Sequence, residues 1–424
     1  MRKMFNQYKK ILVLAVGGGN DSVSTLLLQL QLHKKFNYSP NSIDIVAVLP
    51  DCLEYQNLDT TDHPLINRIN DHSTRSVGDK VMDAFPERIL SQNKNIFPCL
   101  KINEIYGISM RNGSIGIHHA LYYLLKNNEY DLVLAIDVGG DFIADFDNID
   151  VLSPMMDGYM LYALKMIQQD IKHEKWNIDI IFSVFGLGTD GESTPLMLKS
   201  ALNKLTDLKE YTFDHDDIKP FIDFYRNVVE KNRYSRTTDY TLLEITGEGH
   251  QNPSIFRGRF HTKTEPNKKD TVYYGTFDHH QNESFYGKFY LFKEIHNVKN
   301  RYSFECSNGI EWFLRVQKES TKINHELNGQ AYFDLGSVLN HKEYKNMSLF
   351  FGTPSNKFNH EQQIAILNDI SHSVLNHVYD FAMIYTSFAH LVDNNLIVQK
   401  INDDLTLISR TQTNLCEYLI RLLK

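Results

Sequence analysis

The first half of the chain alternates short, uninterrupted apolar runs with longer segments in which apolar residues recur every three or four positions. The uninterrupted runs predict strands that are buried on both faces, at Ile11–Val16, Ile43–Leu49, Leu132–Val138 and Ile178–Val184. The periodic segments predict helices at Ser22–Phe36, Ile115–Lys126, Pro154–Gln169 and Thr194–Leu205. Strands that alternate with helices in this way predict an α/β protein, with a doubly wound parallel sheet over residues 1–210.

Two parts of the chain do not follow this alternation. Residues 50–112 have weak periodicity and many polar side chains, so we expect a long, partly ordered insertion in the core. Residues 211–424 predict an elaborated α+β C-terminal region that recognises a substrate or a partner. Its predicted helices are Asp216–Lys231, Glu361–Val392 and Gln412–Leu423. Its predicted strands are Thr271–Phe277, Phe289–Glu294, Tyr302–Cys306 and a hairpin formed by Leu396–Ile401 and Leu405–Ser409.

The composition of the chain excludes some classes of binding partner. The 424 residues include 44 Lys and Arg against 52 Asp and Glu, a net charge of −8, which argues against a broad nucleic-acid interface. No apolar run approaches the ~20 residues of a membrane-spanning helix. The 4 cysteines lie far apart in the sequence and suggest reduced thiols. We therefore expect a cytoplasmic bacterial protein, or one secreted into a host cell by a non-classical route.

The first predicted strand runs into a glycine-rich turn, Gly17-Gly18-Gly19-Asn20-Asp21-Ser22, and the first predicted helix follows at once. Glycines there let backbone N–H groups approach a phosphate, and a helix N-terminus favours an anion. Such turns also serve as plain strand–helix connections, but this context favours ligand binding by all six residues. The turn has neither a GxGxxG pattern nor a P-loop lysine, so it predicts neither nicotinamide binding nor Walker-type chemistry.

The third predicted strand ends in Asp137-Val138-Gly139-Gly140-Asp141. Ligands of open α/β sheets bind beyond the carboxyl ends of the strands, so both carboxylates are expected to face one crevice. There they could bind ribose hydroxyls, a metal or a water. The alternative is a turn in which the Asp side chains accept backbone N–H bonds. We expect Asp137 and Asp141 to be catalytic, and Gly139 and Gly140 to contact the ligand.

Two predicted helix starts supply the remaining candidates. The fourth strand is followed by Gly186-Leu187-Gly188-Thr189-Asp190-Gly191-Glu192, where Thr189 or Asp190 would also serve as a helix cap. The Ser-Pro pair before the preceding helix is likewise a good helix start. From these segments we expect one further catalytic acid, Asp190, and four ligand-binding residues: Gly188, Glu192, Ser153 and Asp157.

Together these segments resemble an uncharacterised bacterial and archaeal family, domain of unknown function 1152. The resemblance covers about residues 10–205 and implies a Rossmann-like fold, with no established activity. The C-terminal half lies outside it and could set a different substrate. The matching segments are Gly17–Asp21, Asp137–Asp141, Ser153–Asp157, and Gly188–Glu192 with Thr189 inserted ahead of the Asp.

A second resemblance concerns the first turn alone. Gly17–Ser22 is similar to the Ser-Gly-Gly-x-Asp-Ser pyrophosphate loop of ATP-pyrophosphatase enzymes, with Gly17 in place of the leading Ser. That family binds ATP and adenylates a substrate, so the resemblance implies an ATP-dependent adenylating enzyme. The sequence does not identify the basic residue at the γ-phosphate that this alternative requires.

Abundant carboxylates without a phosphoryl-transfer lysine favour hydrolysis. We expect a hydrolase acting on a nucleotide-diphosphate-ribose ligand, namely an ADP-ribosyl glycohydrolase that removes ADP-ribose from a modified protein. The diphosphate would lie on Gly17–Gly19 and the ribose near Asp137 and Asp141. The expected ligand is an adenine nucleotide or ADP-ribose. No residue is assigned to a metal, although Mg²⁺ stays open as a cofactor. The alternatives are the adenylating enzyme and a non-catalytic nucleotide-sensing module.

Overall fold

The structure is a computed structural model of the chain. It describes residues 5, 7–18, 21–49, 54–77, 80–82, 86–143, 154–189, 195–229, 237–246, 285, 287–296, 298, 302–307, 311–312, 315, 350–352, 381–385, 395–400 and 405–410.

Strands and helices alternate along the described part of the core, as the apolar pattern predicts. The strands are β1 (Lys10–Gly18), β2 (Ser42–Leu49), β3 (Glu54–Gln56), β4 (Asp59–Thr60), β5 (Ile66–Arg68), β6 (Thr74–Val77), β7 (Lys80–Met82), β8 (Ile102–Ser109), β9 (Leu132–Val138), β10 (Asp179–Phe185), β11 (Lys209–Thr212), β12 (Lys288–Phe292), β13 (Phe350–Gly352), β14 (Phe381–Tyr385), β15 (Ile397–Lys400) and β16 (Leu405–Ser409). The helices are α1 (Asp21–Phe36), α2 (Pro86–Gln92), α3 (Gly113–Asn127), α4 (Pro154–Glu174), α5 (Pro195–Asn203), α6 (His215–Phe224) and α7 (Thr237–Thr246). A π-helical turn, Tyr225–Val229, directly follows α6.

A mixed sheet of 9 strands forms the centre of the molecule, in the order β11-β12-β10-β9-β1-β2-β8-β5-β4. The five strands from β10 to β8 are parallel, whereas β11, β12, β5 and β4 join by antiparallel pairing. Along the chain, β1 is followed by β2 and β8 on one side of it, and then by β9 and β10 on its other side. The carboxyl ends of β1 and β9 therefore lie where the direction of winding reverses, which is where ligands bind in open α/β sheets.

Both faces of this sheet are covered by helices, which explains the uninterrupted apolar runs of the central strands. In β1, Ile11 and Val13 belong to the core that includes residues of α1, α2, α6 and α7. Leu12 and Leu14 belong to the opposite core, which includes residues of α3, α4 and α5. A strand between two cores has no solvent-facing side, so it cannot show an apolar–polar alternation.

The structure confirms the α/β character and the four strands predicted for the core. It also confirms β12 and the β15–β16 hairpin. The five central strands are parallel, as predicted, whereas antiparallel strands flank them on both sides, so the sheet as a whole is mixed. The strand β12 comes from the predicted C-terminal region and pairs with β10 of the core, so the two regions share one sheet. The division of the chain at residue 210 stays a prediction.

Three predictions about individual segments are wrong. Residues 102–109, placed within the partly ordered insertion, form β8 beside β2 in the parallel centre. Residues 381–385, placed in the long helix Glu361–Val392, form β14 between β13 and β16. Residues 302–306 are not a strand; their backbone packs against the first turns of α3 and α4. The predicted strand Thr271–Phe277 and helix Gln412–Leu423 lie outside the described residues.

Two further expectations concern the cysteines and membrane-spanning helices. Cys99 and Cys306 are free thiols, while Cys52 and Cys416 lie outside the described part. No helix in the described ranges is long and apolar enough to cross a membrane.

The first turn of α4 packs against the backbone of residue 302, and this contact leaves no room for a side chain at Gly158. A Cβ there would lie 2.4 Å from the carbonyl oxygen of Tyr302. The same oxygen accepts a hydrogen bond of 2.9 Å from the buried Trp312 indole, so it is held in place. The contact therefore fixes the start of α4.

We expect Gly158→Ala to destabilise the fold by about 1–3 kcal/mol, although alanine is the better helix former, because the backbone must shift. Urea unfolding would measure the loss. The control is Gln169→Ala on the exposed side of the same helix, which we expect to be near neutral. An alanine variant as stable as the wild type would contradict the close packing.

Candidate functional site

Three carboxylates meet at the carboxyl end of β9. One oxygen from each of Asp137, Asp141 and Asp157 lies within 4.8 Å of the other two. All three side chains are buried, with relative exposures of 1%, 7% and 4%. Oxygens that share one divalent cation at about 2.0–2.6 Å can be no more than about 4–5 Å apart, so the spacing suits a single ion.

Asp137 is placed by the last strand residues before the turn. It pairs with Val184 in the parallel β9–β10 ladder, and its neighbours alternate between the two cores. Val133 and Ala135 belong to the core under α3 and α4, which puts Asp137 on the same side of the sheet. The strand therefore delivers its carboxylate toward the start of α4.

Asp141 is placed by the two glycines of the turn. Gly139 and Gly140 have φ angles of 123° and 107°, a region that other residues rarely adopt. A Cβ on Gly140 would also lie 2.8 Å from Leu187. Glycine adopts these angles most readily, and in this conformation a carboxylate oxygen of Asp141 lies within 4.8 Å of one of Asp137.

Asp157 comes from the first turn of α4, which begins at Pro154. Proline suits this position because its fixed φ and missing N–H fit a helix start. The N-terminus of a helix carries a partial positive charge, which favours a carboxylate in its first turn. The helix thereby offsets part of the cost of burying Asp157 beside two other acids.

Burial raises the pKa of Asp157 well above its usual range, and the charges of Asp141, Asp137 and Asp21 raise it further. A hydrogen bond between the Asp157 and Asp141 side chains raises the pKa of Asp157 in the same direction, because it favours a proton on Asp157. A proton on one carboxyl or a bound cation relieves the repulsion. The site therefore favours a shared proton or a bound positive ion over three separate negative charges.

The first glycine turn lies next to these acids. Asp21 begins α1, is 7% exposed and acts electrostatically on Asp157. Its side chain lies over Gly17, where an added Cβ would be 2.1 Å from Asp21 Oδ2. A larger residue at Gly17 would force the Asp21 carboxylate to move. A carboxylate above this turn repels a bare phosphate, so an anionic ligand there requires a cation between them.

Ser22 is engaged by a residue that the sequence did not single out. Its hydroxyl donates a 2.9 Å hydrogen bond to Oε1 of Glu87 on α2. Burial raises the pKa of Glu87, and the charge of Arg75 opposes this shift. Arg75 belongs to β6 in the insertion. No sequence signal links these residues, since more than fifty positions separate them from the glycine turn.

The turn after β10 is hydrogen-bonded to the turn that carries Asp141. Among the described residues, it adds no carboxylate to the cluster. The Gly188 N–H donates to the Gly139 carbonyl at 2.7 Å, and the Gly139 N–H donates to the Phe185 carbonyl at 3.1 Å. The structure thus brings Asp137, Asp141 and Asp157 together, with Asp21 beside them. Their roles, and those of Gly139, Gly140 and Gly188, stay predictions. Five predicted site residues lie outside the described part of the chain: Gly19, Asn20, Ser153, Asp190 and Glu192.

Comparisons with known proteins identify the chain only at the level of a family. A family model described as "Protein of unknown function (DUF1152)" matches residues 12–233. The match spans the glycine turn, the three clustered acids and the turn after β10. Searches of curated proteins and of solved structures found no match.

We expect Asp157→Asn to stabilise the cation-free protein at neutral pH. The pKa of Asp157 is raised in the folded state, so the acid imposes a penalty that grows as pH rises above its unfolded pKa. Thermal unfolding in EDTA should show a gain of about 2–4 °C for each kcal/mol relieved. The gain should shrink as pH falls and be nearly lost near pH 4, where about half of the unfolded carboxyl is protonated.

The matched control is Asp62→Asn, at an exposed aspartate of the insertion. It should leave the melting temperature unchanged at both pH values. A lower melting temperature for Asp157→Asn at neutral pH would show that Asp157 stabilises the cation-free fold, contrary to the repulsion argued above.

Proposed function

The chain belongs to the family described as "Protein of unknown function (DUF1152)", and we propose that it is a cation-assisted hydrolase acting on a nucleotide-diphosphate-ribose ligand. The observation that carries this proposal is the cluster of Asp137, Asp141 and Asp157, whose oxygens lie within 4.8 Å of one another. Within the class, we favour an ADP-ribosyl glycohydrolase that releases ADP-ribose from a modified protein.

The position of the cluster supports a nucleotide-type ligand. Parallel strands wound outward from β1 on both sides are typical of Rossmann-like folds, whose crevice at the reversal binds nucleotides. The Gly17 turn and the start of α1 stand at that crevice, beside the acids. We propose that the diphosphate lies near this turn and the ribose near Asp137 and Asp141.

The charges at the site make cation dependence part of the proposal. A diphosphate brought beside Asp21 and the three clustered acids would add negative charge to a site that already disfavours it. Asp137, Asp141 and Asp157 are the residues that would hold a divalent ion, with Asp21 within electrostatic reach. Such an ion supplies Lewis-acid polarisation and offsets the charge of the phosphates.

The proposed reaction is hydrolysis of an N-glycosidic bond. A water oxygen forms a bond to the anomeric carbon of the ribose, while the bond from that carbon to the side-chain nitrogen breaks. The water loses a proton to one carboxylate of the cluster, and the nitrogen gains a proton from solvent water as it leaves. The carboxyl group then returns its proton to solvent, so that no proton is gained or lost overall. The products are free ADP-ribose and the unmodified side chain. A second carboxylate stabilises the oxocarbenium-like centre as the bond breaks.

The first test measures ligand binding by thermal unfolding. We expect Mg²⁺ or Mn²⁺ to raise the melting temperature, and ADP-ribose to raise it further only when the cation is present. A ligand at about 100 times its dissociation constant adds about 2.7 kcal/mol, which a melting curve resolves. Asp137→Asn and Asp141→Asn should lose both shifts, whereas the exposed control Asp62→Asn should keep them.

The second test measures turnover with an ADP-ribosylated protein and detects released ADP-ribose by mass spectrometry. We expect Asp137→Asn and Asp141→Asn to abolish release while leaving the fold intact, as judged by circular dichroism. Full activity in both variants would overturn the assignment. Cation-dependent ADP-ribose binding without any product would instead support the nucleotide-sensing module.

One observation favours the adenylating alternative. Arg75 lies in the electrostatic surroundings of Glu87, which binds Ser22 of the pyrophosphate-loop-like turn. It is a candidate for the basic residue that this chemistry requires. The same melting assay separates the two proposals, since a shift confined to ATP with Mg²⁺, followed by pyrophosphate release, would favour adenylation. In that case Arg75→Gln should abolish pyrophosphate release.

A further inference from the structure

Glu244 on α7 is a buried acid that has no stabilising partner in the part of the chain that the structure describes. Its exposure is 1%, and neither carboxyl oxygen has a hydrogen-bond partner among those residues. Buried polar groups in native proteins are nearly always hydrogen-bonded, and an unpaired buried carboxylate is especially costly. The helix α7 therefore docks at low cost only when Glu244 is neutral.

The same helix holds the turn that follows β10. The Thr189 hydroxyl donates to the Gly186 carbonyl at 2.6 Å and lies 3.0 Å from the Thr241 hydroxyl of α7. Since Thr189 has used its only proton, Thr241 is the donor in the second bond. Gly186 leaves room for this contact, because a Cβ on it would lie 2.9 Å from Thr241 Oγ1.

Residues 186–189 are also hydrogen-bonded to the acid site. The Gly188 N–H donates to the carbonyl of Gly139, which lies between Asp137 and Asp141. A continuous path of hydrogen bonds and covalent links thus runs from Thr241 through residues 186–189 to the acids. Glu244 lies one helical turn beyond Thr241 on the same helix.

We propose that α7 is a pH-sensitive clasp on the acid site, docked while Glu244 is protonated and loosened when Glu244 ionises. Only the effect of the clasp on cation binding rests on the proposed function. Docking of α7 itself can be measured without any ligand.

Burial is the dominant influence on the pKa of Glu244. Burial alone raises its pKa well above the usual range. The titratable group tied to it is the Tyr290 phenol on β12, whose own pKa is raised by burial, by Glu210 and by Glu244. The helices α1 and α6 also pack against α7. Among the described residues, their charged side chains do not shift the pKa of Glu244.

The sign of the effect follows from these shifts. A folded-state pKa above the unfolded value means that the docked helix favours the protonated acid. Docking should therefore weaken as pH rises from the unfolded pKa, by up to about tenfold per pH unit for one coupled proton, until the folded pKa is reached. Carboxylate cation sites ordinarily bind more tightly as pH rises, so an opposing trend is diagnostic.

The experiment compares hydrogen exchange of residues 237–246 in the wild type and Glu244→Gln at matched pH, from about pH 5.5 to about pH 8.5, which cancels the intrinsic pH dependence of exchange. We expect the ratio of wild-type to variant exchange to rise at least tenfold over this range. Glu244→Met serves if the Gln variant is unstable. The exposed acid Glu129 provides the control Glu129→Gln, which should keep the wild-type profile.

A parallel titration with Mn²⁺ tests the link to the acid site. We expect the affinity of the wild type, relative to Glu244→Gln, to fall as pH rises. Thr241→Val removes the hydrogen bond between α7 and residues 186–189, so it should weaken Mn²⁺ binding and abolish the pH dependence that Glu244 imposes on it. Equal exchange ratios at all pH values would overturn the clasp. If Mn²⁺ binds none of the proteins, the proposed cation site fails, while hydrogen exchange still decides whether α7 responds to Glu244.

Discussion

Carboxylates that share a space with little water must lose charge, move apart or acquire a positive partner. Asp137, Asp141 and Asp157 cannot move apart, because a strand, a glycine turn and a helix start each fix one of them. The constraint therefore falls on their charge. A site held in this way is suited to an ion or to proton transfer, and a fold that only needed stability would gain nothing from it.

The backbone around the acids is tied together so that the repulsion cannot relax. Gly139 is bonded on one side to Phe185 at the end of β10 and on the other to Gly188 in the following turn. The start of α4 is held by the Tyr302 carbonyl, which packs against Gly158. Catalytic groups work best when the surrounding structure fixes them before the ligand arrives, and these contacts would supply that preorganisation for the hydrolysis that we propose.

Much of the centre of the fold could be predicted from sequence, because strands buried on both faces leave an uninterrupted apolar run. The strand β8 could not, since Asn103, Glu104 and Gly107 interrupt its apolar residues. The strand β14 is a five-residue apolar segment, which periodicity cannot separate from part of a helix. In both cases the neighbouring strands, and not the local sequence, decide the structure.

The acid site was also predictable only in part from the sequence. The sequence predicts Asp137, Asp141 and Asp157 as candidates because each lies at a strand end or a helix start, and the carboxyl ends of parallel strands share one edge. Their approach to within 4.8 Å depends on packing between β9 and α4. Glu87, Arg75 and Glu244 carried no signal, because single charged residues on a surface-like helix or strand look the same in sequence whether the fold buries them or not.

The strand β12 has a consequence for how the chain assembles during synthesis. It lies between β10 and β11, so β11 reaches the sheet only through a strand that is made some eighty residues later. Until the ribosome has passed residue 292, β10 is an open edge beside the acid site, with its backbone groups available to any other strand. The family-matched segment ends at residue 233, before β12. Expressed alone, that segment would expose this edge and would be prone to aggregate.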